Sequence, residues 1–458
     1  MGHHRQGSVP VFGQPVQRRT RLLGILLPGR LASAHWLKLV GASTDRRALS
    51  SRNLGTIMGV RYTISRRDFD TTPANVGELT AGGSDSRSEA CGGHRVCSAA
   101  GATRRVATGS GEHAMDVETA LRQMPKAELH LHLEGAVDAA TFASLAAKHS
   151  LELPPHDEVA DLYQYDSLAD FLLIYSLVCR SIQEEADFRR VTYECLERCA
   201  NSGARYVELF FSPESHFEMG VEYPTMLAGV LGGMADIKAD RGLESNLIPA
   251  INRELGPARA VEFVEMVAAH PHPQIIGVGL DFNEIGFPSE DYVDAYRAAA
   301  AHGLHRTSHA GEVGPADNVR AAIELLDCER IDHGYHVVDD PDLVARCAES
   351  QIAFTVCPTT TGYTTIWRDL SAPDHAIRQM DAAGLKLMVN SDDPGMFVCD
   401  LANEYVRLHR EMGLSLSTLK EMALNGIDAA WIDDTTKVSW RREWSAEIDA
   451  LFASVNGG

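Results

Sequence analysis

His130 and His132 stand two residues apart in Glu128-Leu129-His130-Leu131-His132-Leu133-Glu134. In an extended strand alternate side chains share a face, so both imidazoles project to one side while Leu129 and Leu131 project to the other. An isolated His-x-His pair is usually no more than two polar residues. This one has company: His309-Ala310-Gly311-Glu312, Asp332-His333-Gly334 and Asn390-Ser391-Asp392-Asp393-Pro394 each fall at the end of a candidate strand. Three imidazoles and one carboxylate, from His130, His132, His309 and Asp392, form a borderline donor set that suits Zn2+ and leaves room for a water. An ion of that kind lowers the pKa of its water from about 16 to near 7.

Residues so far apart meet only if the fold collects strand ends. Eight short strands are predicted, at Ala127–His132, Arg205–Phe211, Ser245–Ile251, Ile275–Asp281, His305–Ala310, Arg330–His333, Ile352–Cys357 and Leu385–Asn390. Amphipathic helices alternate with them, among them Ala139–His149, Asp187–Ser202, Ser289–His302, Val319–Leu326 and Pro341–Ser350. That alternation predicts an α/β fold with a parallel sheet, and eight units predict a (β/α)8 TIM barrel with a helical insertion after strand 1. In a barrel every strand delivers its C-terminal end to one rim. The rival, a doubly wound open sheet, lacks a glycine-rich phosphate loop after its first strand.

Pro125 to Gly135, Ser308 to Gly314, Glu329 to His336 and Ser391 to Pro394, taken with the order in which they occur, resemble the motifs of the adenosine deaminase family over residues 117–452. The resemblance implies that His130, His132, His309 and Asp392 are zinc ligands. It implies that Glu312 shuttles a proton to the purine, that His333 orients and helps deprotonate the attacking water, and that Asp393 touches the purine ring. The implied reaction is zinc-dependent hydrolytic deamination of adenosine or 2'-deoxyadenosine to inosine or 2'-deoxyinosine plus ammonia. Chemistry agrees with those roles. Attack at C6 breaks aromaticity and becomes accessible only when N1 is protonated as charge builds there. A Glu312 carboxyl kept protonated by its surroundings is suited to that task. Leu168, Phe171, Leu172 and Tyr175 resemble the family's hydrophobic lid, and their helical spacing equally suits a core face.

Several positions bear on substrate. Glu134 stands where the nucleoside enzymes place an Asp that holds ribose. Phe210-Phe211-Ser212-Pro213-Glu214-Ser215-His216 is similar to adenine deaminases, and Gly279-Leu280-Asp281-Phe282-Asn283-Glu284 departs from the nucleoside enzymes' loop at the purine edge, with Asp281 a substrate contact. Conversely, His305-Arg306-Thr307-Ser308-His309 and Gly334-Tyr335-His336 look like the nucleoside enzymes. Glu284-Ile285-Gly286 and Asp393-Pro394-Gly395-Met396-Phe397 share the style of aminodeoxyfutalosine deaminases. Adenine or another 6-aminopurine nucleoside is therefore the near alternative to adenosine. A metal-dependent ester or amide hydrolase on the same barrel is the alternative of another class.

Of 458 residues, 45% are hydrophobic and 23% charged, which suits a globular enzyme. Residues 1–114 carry a net charge of +9 out of a total of −21, leaving −30 on residues 115–458. That acidic body repels phosphate backbones and anionic membranes, so the expected partner is a small purine and neither nucleic acid nor a lipid surface. The leader, residues 1–114, is rich in Arg, Gly, Ser, Thr and Ala without sustained periodicity, and is expected to be disordered or not native. Residues 115–458 are expected to form the deaminase domain. Nine scattered cysteines show no metal-type spacing and suit a reducing, cytoplasmic setting. Cys357 reads as a packing residue rather than a nucleophile. The longest apolar stretch, residues 22–41, is broken by Pro28, Arg30, His35 and Lys38 and is too interrupted to span a bilayer.

Overall fold

A computed structural model describes residues 56–57, 60–61, 115–165 and 168–456. The chain divides into two units, residues 1–94 and 95–458. In the first, Thr56–Ile57 and Val60–Arg61 pair antiparallel; the expectation of a disordered leader otherwise lies outside the described residues.

The second unit holds eight parallel strands in sequential order. They are β1 (Lys126–Glu128), β2 (Ala204–Phe211), β3 (Glu244–Asn252), β4 (Gly277–Asp281), β5 (His305–Ala310), β6 (Arg330–His333), β7 (Ala353–Val356) and β8 (Lys386–Val389). All eight match the strands expected from the sequence, and the fold is a (β/α)8 barrel. Beyond β1 and β8 the chain stays extended, and Leu131 bridges Asp392 in parallel to close the ring. Asp392 N–H donates to the His130 carbonyl at 3.0 Å, and His132 N–H donates to the Asp392 carbonyl at 2.8 Å. Lower down, the carboxylate of Glu128 accepts from Ser391 N–H and Oγ, both at 3.0 Å.

Fourteen helices surround the barrel among the described residues. The insertion between β1 and β2 contains α2 (Ala139–Lys148), α3 (Leu168–Ser181) and α4 (Glu185–Asn201). A helix absent from the sequence reading, α5 (Tyr223–Arg241), packs on α4. Its glycines lower helix propensity by about 1 kcal/mol each. Packing explains them, because a Cβ at Gly229 would lie 2.4 Å from the Glu185 carbonyl, and one at Gly233 2.6 Å from that of Arg189. A later helix, α13 (Leu416–Ala429), covers the lower gap between β1 and β8, where Asn425 Nδ2 donates to the Leu387 carbonyl at 2.9 Å.

The barrel centre is apolar at Phe210, Ile248 and Ala250, against which Ile276 and Trp431 pack. Beneath it Arg330 and Glu208, neither exposed to solvent, form an ion pair. The Arg330 guanidinium also lies 3.9 Å from the centroid of the Trp431 ring. Removing one partner of such a pair strands the other charge, at a cost of about 3–5 kcal/mol. Arg330→Met should therefore lower the unfolding free energy by about that much in urea titration, and adding Glu208→Gln should recover part of the loss. A double variant no more stable than Arg330→Met alone would show that Glu208 is satisfied without its arginine.

Candidate active site

Parallel register builds the site in rows. His309 of β5 is opposite Asp332 of β6, and Asp332 is opposite Thr355 of β7. Asp332 is fully buried; its Oδ2 accepts from Thr307 Oγ1 at 2.7 Å and its Oδ1 accepts from Thr355 Oγ1 at 3.2 Å. The Thr355 oxygen in turn lies 2.7 Å from His130 Nδ1. With its hydroxyl proton committed to Asp332, Thr355 accepts from Nδ1–H of His130. That fixes the tautomer with a lone pair on Nε2, which is how a metal-ligating imidazole is usually set.

Nε2 of His130 is buried without a hydrogen bond and faces Asp392 Oδ1 at 3.2 Å. His132 Nε2 lies 3.4 Å from the same oxygen and 3.0 Å from His309 Nε2. Donor atoms of His130, His132, His309 and Asp392 all lie within 4.8 Å of one another. Burial lowers His132 to a pKa of about 4 despite Asp392. Burial, reinforced by the imidazoles of His130, His333 and His132, pushes His309 well below the ordinary value. For His130 burial also pulls downward, but Asp392 outweighs it and the net shift is upward. Burial works against the charge of Asp392, while His130 and His333 hold its carboxyl well below the usual range. Imidazoles of His132 and His309 held toward their neutral forms beside one carboxylate, with the buried Nε2 of His130 left without a hydrogen bond, fit a divalent cation such as zinc. Cys357 falls in a second cluster with His130, His333 and Asp392. Burial and nearby carboxylates push its thiol pKa well up, in keeping with a packing role. All seven described cysteines are free and buried.

A cavity of about 680 Å³, its mouth included, opens over these ligands. On its wall Glu312 Oε2 lies 3.7 Å from His333 Nε2, and its Oε1 accepts from Thr364 Oγ1 at 2.6 Å. Burial raises Glu312, with His333 opposing and Asp392 adding to the rise. His333 Nδ1 is 3.4 Å from the Tyr335 hydroxyl, which accepts from Cys357 N–H at 2.9 Å. Burial and neighbouring acids push Asp281 and Asp393 well above the carboxylate range. Each keeps one buried Oδ1 without a partner. Asp393 sits against Gly135, where a Cβ would lie 1.6 Å from its Oδ1, so only glycine admits it.

Apolar walls come from Phe171, Leu172, Tyr175, Phe282 and Phe397. Phe171 stacks on Phe397 at 4.9 Å, and Tyr363 stacks on it at 4.7 Å. Leu168 begins α3, and its side chain lies outside the described residues. Glu134 is placed apart from the other expected contacts. It is fully buried, is not part of the cavity wall, and gives Oε1 to Ser212 N–H at 3.0 Å and to His216 Nε2 at 3.1 Å. Thr355, Asp332, Thr364 and Glu284 contribute without having been singled out as site residues in the sequence. Only a known register would have flagged the first two.

A family model described as Adenosine deaminase matches residues 125–444. The chain belongs to the adenosine deaminase family. Its members here include an adenine deaminase of Streptomyces coelicolor, 35% identical over 334 residues, which are 72% of this chain and 96% of that protein. An amidohydrolase from Burkholderia ambifaria, solved with bound Zn, is 35% identical with a TM-score of 0.71, covering 76% of this chain and 98% of the other. The adenine deaminase of Arthrobacter aurescens is 33% identical with a TM-score of 0.67, covering 72% and 99%. Family membership establishes a purine deaminase with a metal-dependent amidohydrolase fold. Among the described residues no helix is long and apolar enough to cross a membrane.

Binding to the folded state alone stabilises a protein by about 4 kcal/mol at a thousand times Kd. Chelator-treated protein should unfold at lower temperature than the zinc-loaded form, and zinc should restore it. His309→Ala should lose the bound metal, read by elemental analysis. Identical melting with and without zinc would refute the metal site.

Proposed function

We propose that this chain hydrolyses adenine to hypoxanthine and ammonia. The observation that carries this reading is which segments reach the substrate. Asp281, Phe282 and Asn283, from the segment that departs from the nucleoside enzymes, line the cavity. Ser212 and His216, from the segment similar to adenine deaminases, grip Glu134. Of the nucleoside-like segments only His309 lines the cavity, whereas His305 stacks on Trp431 and His336 packs beside Trp367, both off the cavity wall. One oxygen of the carboxylate in the ribose-holding position is thus committed to the protein, while its Oε2 is buried without a hydrogen bond. Among the described residues no Lys or Arg lines the cavity, which disfavours a phosphate-bearing substrate. The adenine deaminases at 33–35% identity support the same choice. Adenosine, which the sequence alone put first, becomes the second reading.

A divalent cation held by His130, His132, His309 and Asp392 would supply an activated water at neutral pH. The chain's own residues do the rest. Phe171, Tyr175 and Phe397 enclose the flat base and exclude water, which strengthens every polar contact inside. Asp393 and Asp281, their carboxyls held protonated by burial and mutual repulsion, are hydrogen-bond donors to ring nitrogens. Glu312 gives its proton to N1 as the new bond forms at C6. His333, whose Nε2 lies between Glu312 and Asp392, takes a proton from the attacking water and returns one to the departing amine. The second proton of the water, left on the C6 oxygen, returns to Glu312 as the carbonyl forms, so that one C–O bond is made, one C–N bond is broken and ammonia is released.

Zinc-loaded protein should deaminate adenine with kcat/KM at least about tenfold above that for adenosine, followed by loss of the adenine chromophore. Glu312→Gln should lower kcat by about 10²–10⁴ while keeping bound zinc. Faster turnover of adenosine would overturn the choice of substrate, and inertness toward both would overturn the reaction.

A further inference from the structure

Glu312 sits in a glycine-flanked loop, Gly311-Glu312-Val313-Gly314, immediately after the ligand strand β5. Four consecutive backbone N–H groups of that loop converge on one buried carboxylate. Gly311 N–H donates to Glu284 Oε1 at 2.7 Å, and those of Glu312, Val313 and Gly314 donate to Oε2 at 2.9 Å each. Asn318 Nδ2 adds a fifth bond to Oε1 at 3.0 Å. Successive amides curled this way form an anion-binding nest. Here the anion is a side chain of the loop that follows the preceding strand, β4. Gly314 makes the approach possible, since a Cβ there would lie 2.9 Å from Glu284 Oε1.

The other end of the segment is held by a cation. Arg253 Nη2 donates to the His309 carbonyl at 2.5 Å and to that of Leu280 at 3.2 Å, while its Nε donates to the Asp281 carbonyl at 3.0 Å. Glu284 itself is 2% exposed and is not part of the cavity wall. Burial opposes its charge, but Arg253 and the loop amides outweigh burial and hold its pKa below the ordinary value.

We propose that Glu284 is the positioning residue for the proton donor: it fixes the backbone of residues 311–314 so that the Glu312 carboxyl meets the purine from one place. This rests on the proposed role of Glu312 in deamination. Glu284 touches neither the cavity nor a ligand atom, so it acts only through the loop. A misplacement of about 1 Å in a reacting group costs about 100-fold in rate. A glutamine at position 284 would turn an amide N–H2 toward donors that now meet an oxygen, freeing part of the loop.

The test compares zinc-loaded wild type, Glu284→Gln, Glu312→Gln and the double variant with adenine under single-turnover conditions, together with hydrogen exchange of the peptides. Glu284→Gln should lower kcat by about 10–100-fold with KM within about threefold, unchanged bound zinc, and faster exchange confined to residues 309–318. In the Glu312→Gln background it should have no further effect, because a positioned group that is absent cannot be misplaced. Full additivity of the two losses would overturn the proposal, as would unchanged exchange at 309–318 or exchange accelerated throughout the barrel. Wild-type protein inert toward adenine would retire the function instead, and the exchange pattern would still decide whether Glu284 holds the loop.

Discussion

The barrel is closed where its chemistry is. At strand level β1 and β8 have no ladder of their own, and the ring is completed above them by the backbone bonds that join His130 and His132 to Asp392. Three residues of the candidate metal site are therefore fixed by the same hydrogen bonds that make the sheet continuous. Any opening of the seam moves His130, His132 and Asp392, and any strain at them loads the seam. Glu128 reinforces this arrangement from below through Ser391. The strand-end rule for barrels says that sites gather at the C-terminal rim. Here the rim is also the clasp.

That clasp encloses an excess of acid. Asp392, Asp393, Asp281 and Glu312 surround a small volume, with Glu134 close behind, and among the described residues its wall contains no lysine or arginine. Like charges so close cannot all ionise, and the protein divides them by environment. Asp392 faces imidazoles and stays ionised, whereas Asp281, Asp393 and Glu312 are driven toward their protonated forms by burial and by neighbouring carboxylates. The same crowding that favours a cation beneath the substrate keeps donors available around it. Arg253, the charged group that might have neutralised the cluster, spends its guanidinium on backbone carbonyls instead.

Much of this was legible from residue order. The shared face of His130 and His132 could be read because a strand has a period of two, and the gathering of His309, Glu312, His333, Asp392 and Asp393 at one rim because each lies at or just past the end of a recognisable strand. The eight strands were legible for the same reason. What escaped depends on register or on side-chain direction. Thr355 orients His130 only because β7 is paired to place it opposite Asp332. Glu134 looked like a substrate contact from its neighbours in sequence, yet His216 and the Ser212 amide, contributed after β2, hold it out of the cavity. The helix α5 was hidden by glycines whose purpose is close approach to α4.

Two working residues carry a backbone cost. His333 and Asp392 have φ of 65° and 63°, in the left-handed region that residues other than glycine rarely adopt. Such a conformation costs of order 1–3 kcal/mol and persists only where the surroundings over-determine it. For Asp392 the surroundings are the two bonds of the seam, and for His333 they are the Thr355 hydroxyl accepting its N–H at 3.3 Å and the Tyr335 hydroxyl beside Nδ1 at 3.4 Å. The twist turns both side chains off their strands and toward each other, so that His333 Nε2 lies 3.8 Å from Asp392 Oδ2. A relaxed extended backbone would continue the alternation of the strand and direct these groups along it. The barrel spends backbone strain at two strand ends, and in return His333 and Asp392, from the ends of β6 and β8, face one another on the cavity wall.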